Sequence, residues 1–189
     1  MSTAAPAIQG LQLDTPLGPM LAAGSDEGLH LLEFVDRRAL AAELRRLPTV
    51  ETVAVEAAAL PLRQTRVQLA EYFAGGRTAF TIPLVTDGTA FERCVWRALL
   101  EIPCGQTRSY AQIAAQLEKP GAQRAVGRAN GANRIAIVIP CHRVIDASGK
   151  LHGYGGGLPR KRWLLEHEAK MTGAAPTLWD APTPGASAR

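Results

Sequence analysis

A cysteine, a histidine and an arginine stand side by side in this 189-residue chain, and together they could do nucleophilic chemistry. The apolar run 135–139 leads into Pro140, and Cys141, His142 and Arg143 follow at once. Such a run predicts a strand buried on both faces and ended by Pro140, although a buried helix shows the same pattern. Cationic neighbours lower the pKa of a thiol, so this setting favours a thiolate at Cys141. A packing cysteine with inert sulfur is the alternative.

Residues 1–88 read as the first of two units that would position this cysteine. Short apolar segments separated by Gly, Pro and Asp turns predict an antiparallel meander between residues 8 and 34. Apolar residues at helical spacing predict helices over 36–46 and 61–73, and residues 50–55 fit either a strand or a linker. Residues 1–7 fit a loose tail, and residues 171–189, rich in Ala, Pro, Thr and Gly, predict a disordered one.

Residues 89–170 read as a second, mainly helical unit. Thr89 and Ser109 each begin the spacing of a capping box, which predicts a helix starting at both places. The second of these helices is broken at 119–121, and a further helix over 122–130 places Arg124 and Arg128 on one face. Two short helices around a glycine-containing turn form a helix-turn-helix pattern, which many proteins that never touch DNA also contain. Gly127 beside the arginines suggests that a backbone approaches closely there.

The distribution of charge and the number of cysteines limit the kind of partner and the cellular compartment that the protein can have. Residues 1–90 carry 7 basic and 10 acidic residues, whereas residues 91–170 carry 13 and 6, so only the second unit would attract a polyanion. Charge alone fits an ordinary solvated basic surface equally well. Three cysteines fit neither a disulfide framework nor a zinc knuckle, which indicates a reducing compartment. Without a secretory signal or a long apolar run, the chain is expected to be cytoplasmic, nucleoid-associated if bacterial, and to contact no membrane.

Six short motifs occur in the order and spacing of one known family. Residues 140–144 (PCHRV) resemble the acceptor motif of the 6-O-alkylguanine-DNA alkyltransferases, the methylated-DNA–protein-cysteine methyltransferases. The similarity runs from about residue 91 to residue 168 and includes 108–110 (RSY), 124–127 (RAVG), 129–133 (ANGAN), 153–157 (GYGGG) and 162–165 (RWLL). The resemblance implies an α+β fold, with a ribonuclease H-like antiparallel sheet and helices followed by a winged-helix-like helix-turn-helix domain.

The same resemblance implies how the alkyl group would be removed. Cys141 would take it irreversibly from 6-O-alkylguanine, and also from 4-O-alkylthymine, in one turnover without metal or cofactor. His142 would act as general base through a water, and Glu168 would orient its imidazole. Tyr110 would donate a proton to the leaving base, and Asn133 would be the hinge that ties the helix pair to the cysteine turn. Residues 1–90 lack the cysteines of the zinc site that some members carry.

Residues for binding DNA and the damaged base follow from the resemblance too. The partner would be double-stranded DNA, bound by a monomer through the minor groove with the alkylated base flipped out. Arg124 would fill the gap in the base stack, with Tyr110 against the phosphate and Arg128 on the same helix face. The carbonyl groups of Cys141 and Val144 and the glycine-rich loop at 153–157, with Tyr154 and Gly155, would form the base pocket.

The chain departs from the family pattern at Arg134, Asp146, Cys104 and His152, and two other functions compete with the one implied by the resemblance. Arg134 stands where a proline is common, which would loosen the hinge or add a phosphate contact. Asp146 replaces a common glycine, and its carboxylate would oppose thiolate formation. A helix-turn-helix regulator would use the helix pair without a reactive Cys141, and a cysteine hydrolase would turn over repeatedly.

Overall fold

A three-stranded antiparallel meander begins the N-terminal half. The computed structural model describes residues 7–174, in which β1 (Ile8–Leu13), β2 (Met20–Ser25) and β3 (Gly28–Phe34) pair in sequence order. A fourth strand, β4 (Val50–Thr52), pairs in parallel with β1, so the sheet order is β3-β2-β1-β4. Of the segment 50–55, which fitted either a strand or a linker, only residues 50–52 form a strand, and the sheet is mixed rather than wholly antiparallel.

Two helices accompany this sheet. Helix α1 covers only Leu40–Leu44, shorter than the predicted 36–46, because residues after β3 form a turn in which the Arg37 N–H donates to Phe34 O at 2.9 Å. Helix α2 (Leu60–Phe73) has Pro61 in its first turn and packs on β2 and β3, close to the predicted 61–73. A 3₁₀ turn at Val55–Ala57 leads into it.

The C-terminal half is mainly helical, as predicted. It contains α3 (Ala90–Leu100), α4 (Tyr110–Gln116), α5 (Gln123–Gly131) and α6 (Leu158–Thr172), with a two-stranded parallel pair of β5 (Arg108–Ser109) and β6 (Val144–Ile145). Both capping boxes form, since Glu92 N donates to Thr89 Oγ1 at 3.2 Å and Gln112 N to Ser109 Oγ at 3.1 Å. The predicted α+β fold class is confirmed.

The run 135–139 is buried as predicted, but it is not a strand. Only Ile135 forms a bridge, to Leu32 of β3. Ile137 has a φ of 70°, in the left-handed region, and the chain curls so that Ile139 N donates to Ile135 O at 3.0 Å. Packing inside the shared core imposes this turn, because no local signal in an isoleucine-rich segment favours it.

The two halves share one hydrophobic core. Leu32 N donates to Arg134 O and Ala136 N donates to Leu32 O, both at 2.8 Å, so β3 is hydrogen-bonded to the segment before the cysteine. Buried side chains of both halves, including Phe34, Ile137 and Cys141, belong to the same cluster. The proposed boundaries at 88 and 170 stay a prediction, and they separate sequence segments rather than independent cores.

Helix α6 continues through Met171 and Thr172 and ends at Gly173, which adopts the left-handed conformation of a C-terminal cap. The expected tail therefore begins later than residue 171. Its remaining residues, 175–189, like residues 1–6, lie outside the described residues. Between residues 7 and 174, no helix combines the length and apolar character needed to cross a membrane.

Candidate active site

Cys141 lies at the start of a single 3₁₀ turn, Cys141–Arg143, directly after Pro140. Only 6% of the residue is exposed, so Cys141 is almost completely buried. The turn leads into β6, whose pairing with β5 fixes Cys141 relative to Tyr110 at the start of α4. Cys141 and His142 are therefore successive residues of a helical turn and not of an extended strand.

Two asparagines hold the segment around the cysteine. Asn133 accepts from Ile135 N at 2.9 Å and donates from Nδ2 to Ile135 O at 3.4 Å and Ile139 O at 3.0 Å. Asn130, on α5, donates to Cys141 O at 3.3 Å. The side chains of Asn133 and Asn130 thus join the end of the helix pair to the cysteine turn, the connection that the hinge prediction requires.

His142 and Glu168 form a fully buried pair. The His142 Nε2 atom lies 2.8 Å from Glu168 Oε1, and both side chains are 0% exposed. Burial lowers the pKa of His142 despite the opposing effect of the carboxylate, so the imidazole is neutral. Because an ionised Glu168 only accepts, Nε2 carries the ring proton and Nδ1 has a free lone pair. Nδ1 is buried and has no hydrogen-bond partner among residues 7–174.

Glu168 is ionised because donors surround it. Burial disfavours its charged form, but hydrogen bonds and charge from His142 and Arg143 hold the pKa of Glu168 well below its usual range. Arg143 binds both oxygens, with Nε–Oε2 and Nη2–Oε1 distances of 2.9 Å. Tyr72 Oη donates to Oε1 at 2.9 Å, and Gly105 N donates to Oε2 at 3.2 Å. Glu168 is therefore not the solvated carboxylate that its place near a helix end would suggest.

The positive charge near Cys141 does not come from its sequence neighbours. His142 is neutral and Arg143 is bound to Glu168, so the expectation that they stabilise a thiolate is wrong. Burial raises the pKa of the Cys141 thiol, and the Asn133 side chain, Lys161 and Arg37 act in the opposite direction without overcoming it. The thiol is therefore protonated at rest, and its proton has to be removed during the reaction.

Two tyrosines lie close to the thiol. Burial raises the pKa of Tyr110, and negative charge at Cys141 would raise it further, so its phenol keeps its proton at neutral pH. Tyr110 faces Gly127, where an added Cβ would lie 3.8 Å from the ring, so this glycine faces a neighbouring helix rather than an outside partner. Tyr154 contacts the His142 ring edge-on with centroids 6.5 Å apart, and its buried hydroxyl has no partner in the described part of the chain.

Val144, one of the pocket residues named from the sequence, contacts a lysine that the sequence did not single out. Lys161 on α6 is 0% exposed and donates from Nζ to Val144 O at 2.6 Å and His152 O at 2.8 Å. Burial lowers its pKa to about 8. Val144 O, one of the carbonyls expected to contact the base, therefore already accepts a hydrogen bond. Gly155 lies in the loop just before α6.

Arg124 and Arg128 are exposed on α5, on the side away from the core contacts of Val126 and Ala129. Their placement agrees with the predicted helix face. Arg134 donates from Nη2 to Asp87 O, and the phosphate contact expected of it stays a prediction. Asp146 is half-buried and caps a turn by accepting from Ser148 N at 2.8 Å.

Tyr72 and Lys161 are the functional candidates that sequence reasoning missed, and it also missed the contact between Arg143 and Glu168. Arg143 lies inside the recognised motif, and its position next to a histidine that needs a carboxylate was a usable signal. Tyr72 lies 96 positions from Glu168, and nothing local in α2 marks it. The described chain contains no group of three or more His, Cys, Asp or Glu side chains arranged to hold a metal ion.

Comparison with known proteins identifies relatives over nearly the whole chain. The family model described as 6-O-methylguanine DNA methyltransferase, DNA binding domain, matches residues 90–170, and the ribonuclease-like domain of the same family matches residues 12–86. The methylated-DNA–protein-cysteine methyltransferase of Mycolicibacterium paratuberculosis is 50% identical over 92% of this chain and 99% of its own length. The Mycobacterium leprae protein of that name is 48% identical over 89% and 96%.

Solved structures agree with these relatives. The Mycobacterium tuberculosis 6-O-methylguanine methyltransferase superposes with a TM-score of 0.77 at 44% identity, covering 87% of this chain and 94% of that one. A structure of M. tuberculosis OGT in complex with DNA has the same TM-score at 45% identity, covering 86% and 94%. Because the family models span both halves and relatives of this similarity align almost end to end, the chain belongs to the 6-O-methylguanine DNA methyltransferase family.

Proposed function

We propose that the protein repairs DNA by transferring the alkyl group of 6-O-alkylguanine, and of 4-O-alkylthymine, to its own Cys141 in a single turnover. The observation that carries this proposal is the buried Glu168–His142 pair, which leaves an unprotonated Nδ1 on the residue next to a recessed cysteine. A thiol whose pKa is raised by burial needs such a base. Family membership adds the alkylated base as the natural substrate.

In the proposed reaction the Cys141 thiol proton passes to His142 Nδ1 through one bridging water. Sγ attacks the saturated alkyl carbon as the bond from that carbon to the guanine oxygen breaks. The electron pair of the broken bond goes to the base, and the Tyr110 hydroxyl supplies the proton that neutralises it. The proton held by His142 then returns to Tyr110 through solvent. Glu168 holds the imidazole in the required tautomer and stabilises it while it is charged.

The product explains why turnover ends. A thioether at Cys141 has no easy hydrolytic route, so each chain would react once. Displacement at a saturated carbon by a thiolate needs neither a metal nor a cofactor, and all the groups assigned above come from one chain, which fits a monomer. The three cysteines are free thiols, a state that a cytoplasmic location would preserve.

DNA would be bound through the basic face of α5. Arg124 and Arg128 are exposed there, and Tyr110 stands at the start of α4 between that face and Cys141. We place α5 in the minor groove, where sequence is read poorly, which suits a protein that must find damage anywhere. Arg124 would occupy the space of the flipped base, whose extraction costs a few kcal/mol. Val144 O, Tyr154 and Gly155 would contact the extracted base, and Asn133 would keep the pocket joined to the helices.

Intact mass spectrometry tests this function directly. After incubation with a duplex containing one 6-O-methylguanine, the protein should gain the mass of one CH₂ group, and Cys141→Ala should gain none while still binding DNA. Cys94→Ala is the matched control and should react like the parent. Transfer by Cys141→Ala, or an unchanged mass of the parent while it binds the duplex, would contradict the proposal.

A further inference from the structure

Arg37 is buried between the two halves of the molecule, although it was not a candidate for any role. It lies in the turn between β3 and α1, and its side chain is only 8% exposed. An arginine is rarely buried to this degree without partners. Its guanidinium donates from Nη1 to Asn133 O and from Nη2 to Gly131 O, each at 3.1 Å. Both acceptors belong to the hinge between α5 and the cysteine segment.

Two carboxylates accompany the Arg37 charge. Glu33, on β3, is hydrogen-bonded to Nη1, and Glu43 Oε1 lies 3.2 Å from Nη2. Each carboxylate also has an Oε2 atom that is buried without a hydrogen-bond partner in the chain from 7 to 174. One buried cation shared by two carboxylates is a poor source of stability, because the desolvation of the charges offsets their attraction. The cluster is therefore better explained by the segments that it holds together than by any gain in stability.

The other side of Arg37 faces the glycine-rich loop. A Cβ built on Gly155 would lie 2.8 Å from both Cζ and Nε of Arg37, closer than real contacts allow. A Cβ on Gly156 would lie 2.7 Å from the Phe34 ring, which belongs to the same corner of the N-terminal half. The loop backbone therefore rests directly on the Phe34 ring and the Arg37 guanidinium.

We propose that Arg37 is a positioning residue that sets the spacing between the hinge and the glycine-rich loop, the two segments between which the base would bind. This inference rests on the proposed function. The N-terminal half would then support the pocket through the side chain of Arg37, which contacts Gly131 O, Asn133 O and Gly155. Its contribution should appear mainly as binding of the base, since Arg37 contacts none of the reacting atoms and its charge does not overcome the effect of burial on the Cys141 thiol.

Single-turnover alkylation by free 6-O-methylguanine base measures this contribution without DNA contacts. The observed rate, followed by intact mass against base concentration, gives a half-saturating concentration and a limiting rate. Arg37→Gln should raise the half-saturating concentration roughly tenfold, a change typical of losing a hydrogen-bonded charge, and lower the limiting rate much less. Arg37→Lys should recover part of the loss, because an ammonium can reach one of the two carbonyls but lacks the planar fork. Arg38→Gln is the matched control, since Arg38 is the exposed neighbour.

A second variant keeps the test usable if Arg37→Gln unfolds. The triple variant with Glu33→Gln, Arg37→Gln and Glu43→Gln removes the whole charge cluster and leaves no carboxylate without its cation. It should fold, and its half-saturating concentration should be raised as much as that of Arg37→Gln. A folded variant lacking Arg37 whose half-saturating concentration stays within threefold of the parent overturns the inference. If the parent itself accepts no methyl group, the proposed function fails instead, and this inference falls with it.

Discussion

Glu168→Gln keeps the shape of the side chain but removes the negative charge at the centre of the active site. Five hydrogen bonds reach this carboxylate, from His142, twice from Arg143, and from Tyr72 and Gly105. All of these donors would face a neutral amide that has only one accepting oxygen. Two separable effects follow, one on the reaction and one on folding.

The effect on the reaction comes from the tautomer of His142. A glutamine can donate its amide N–H to Nε2, which would move the ring proton to Nδ1 and remove the free lone pair that serves as base. The equivalent change in a serine-protease triad lowers the rate about 10,000-fold, and general-base catalysis as a whole is worth about 100-fold or more. We expect the transfer rate to fall between roughly 100- and 10,000-fold.

The effect on folding comes from Arg143. This side chain is 7% exposed and would lose its only carboxylate in the described contacts of the site. Breaking a buried ion pair by removing one partner costs roughly 3–5 kcal/mol of unfolding free energy. Urea denaturation should show this loss, and transfer should be measured at a temperature where the variant is folded.

The assay is single-turnover transfer from a methylated duplex, with Glu166→Gln as the control. Glu166 is exposed on the same helix, two residues earlier, so its replacement should alter neither the rate nor the stability appreciably. A folded Glu168→Gln protein that transfers at a rate within threefold of the parent would refute the assignment of His142 Nδ1 as the base.

Three further outcomes are expected. Arg124→Ala should slow repair of duplex DNA at least about tenfold more than reaction with free alkylguanine base, because only the duplex requires extraction of a base; equal losses on both substrates would contradict a flipping role. Tyr72→Phe should cost about 1 kcal/mol of stability, measured by urea denaturation, and change the transfer rate by less than about threefold, since Glu168 keeps its other donors; a large rate loss would give Tyr72 a direct role. The folded-state pKa of Glu168 is depressed, so its contribution to stability is complete above the unfolded value of about 4.3 and is lost as pH falls toward the folded value. Between pH 7 and 3, the free energy of unfolding should therefore fall more steeply in the parent than in Glu168→Gln. Parallel pH dependences of the two proteins would contradict this linkage.

Local sequence signals predicted the parts of the fold that depend on neighbouring residues. The capping boxes at Thr89 and Ser109 each place a side chain and a backbone N–H three residues apart, so both helix starts could be found without knowing the tertiary structure. The run 135–139 could not be placed in the same way. Its burial follows from composition, but its left-handed turn at Ile137 depends on side-chain hydrogen bonds from Asn133 and on β3, which belong to other segments.

In the candidate site, too, local features could be predicted from the sequence and contacts between distant segments could not. The motif predicted Cys141 and His142 as site residues, and the family resemblance added Glu168. The structure brings His142 and Glu168, which are 26 positions apart, into contact. The charges that act on the thiol come from Lys161 and Arg37 instead of from the adjacent residues. Contacts between segments so distant in sequence are set by the packing of the two halves. The periodicity of a single sequence predicts local elements and not such contacts.

The most direct test of the account is to count and locate the methyl groups after reaction with excess methylated duplex. Peptide mapping should place one methyl group on the peptide containing Cys141, and the number of repaired lesions should stop at one per protein chain. Cys104 offers an internal comparison, because burial raises its pKa to about 11 and it should remain unmodified. Repair that continues beyond one lesion per chain, or methylation at Cys94 or Cys104 in place of Cys141, would contradict the central claim.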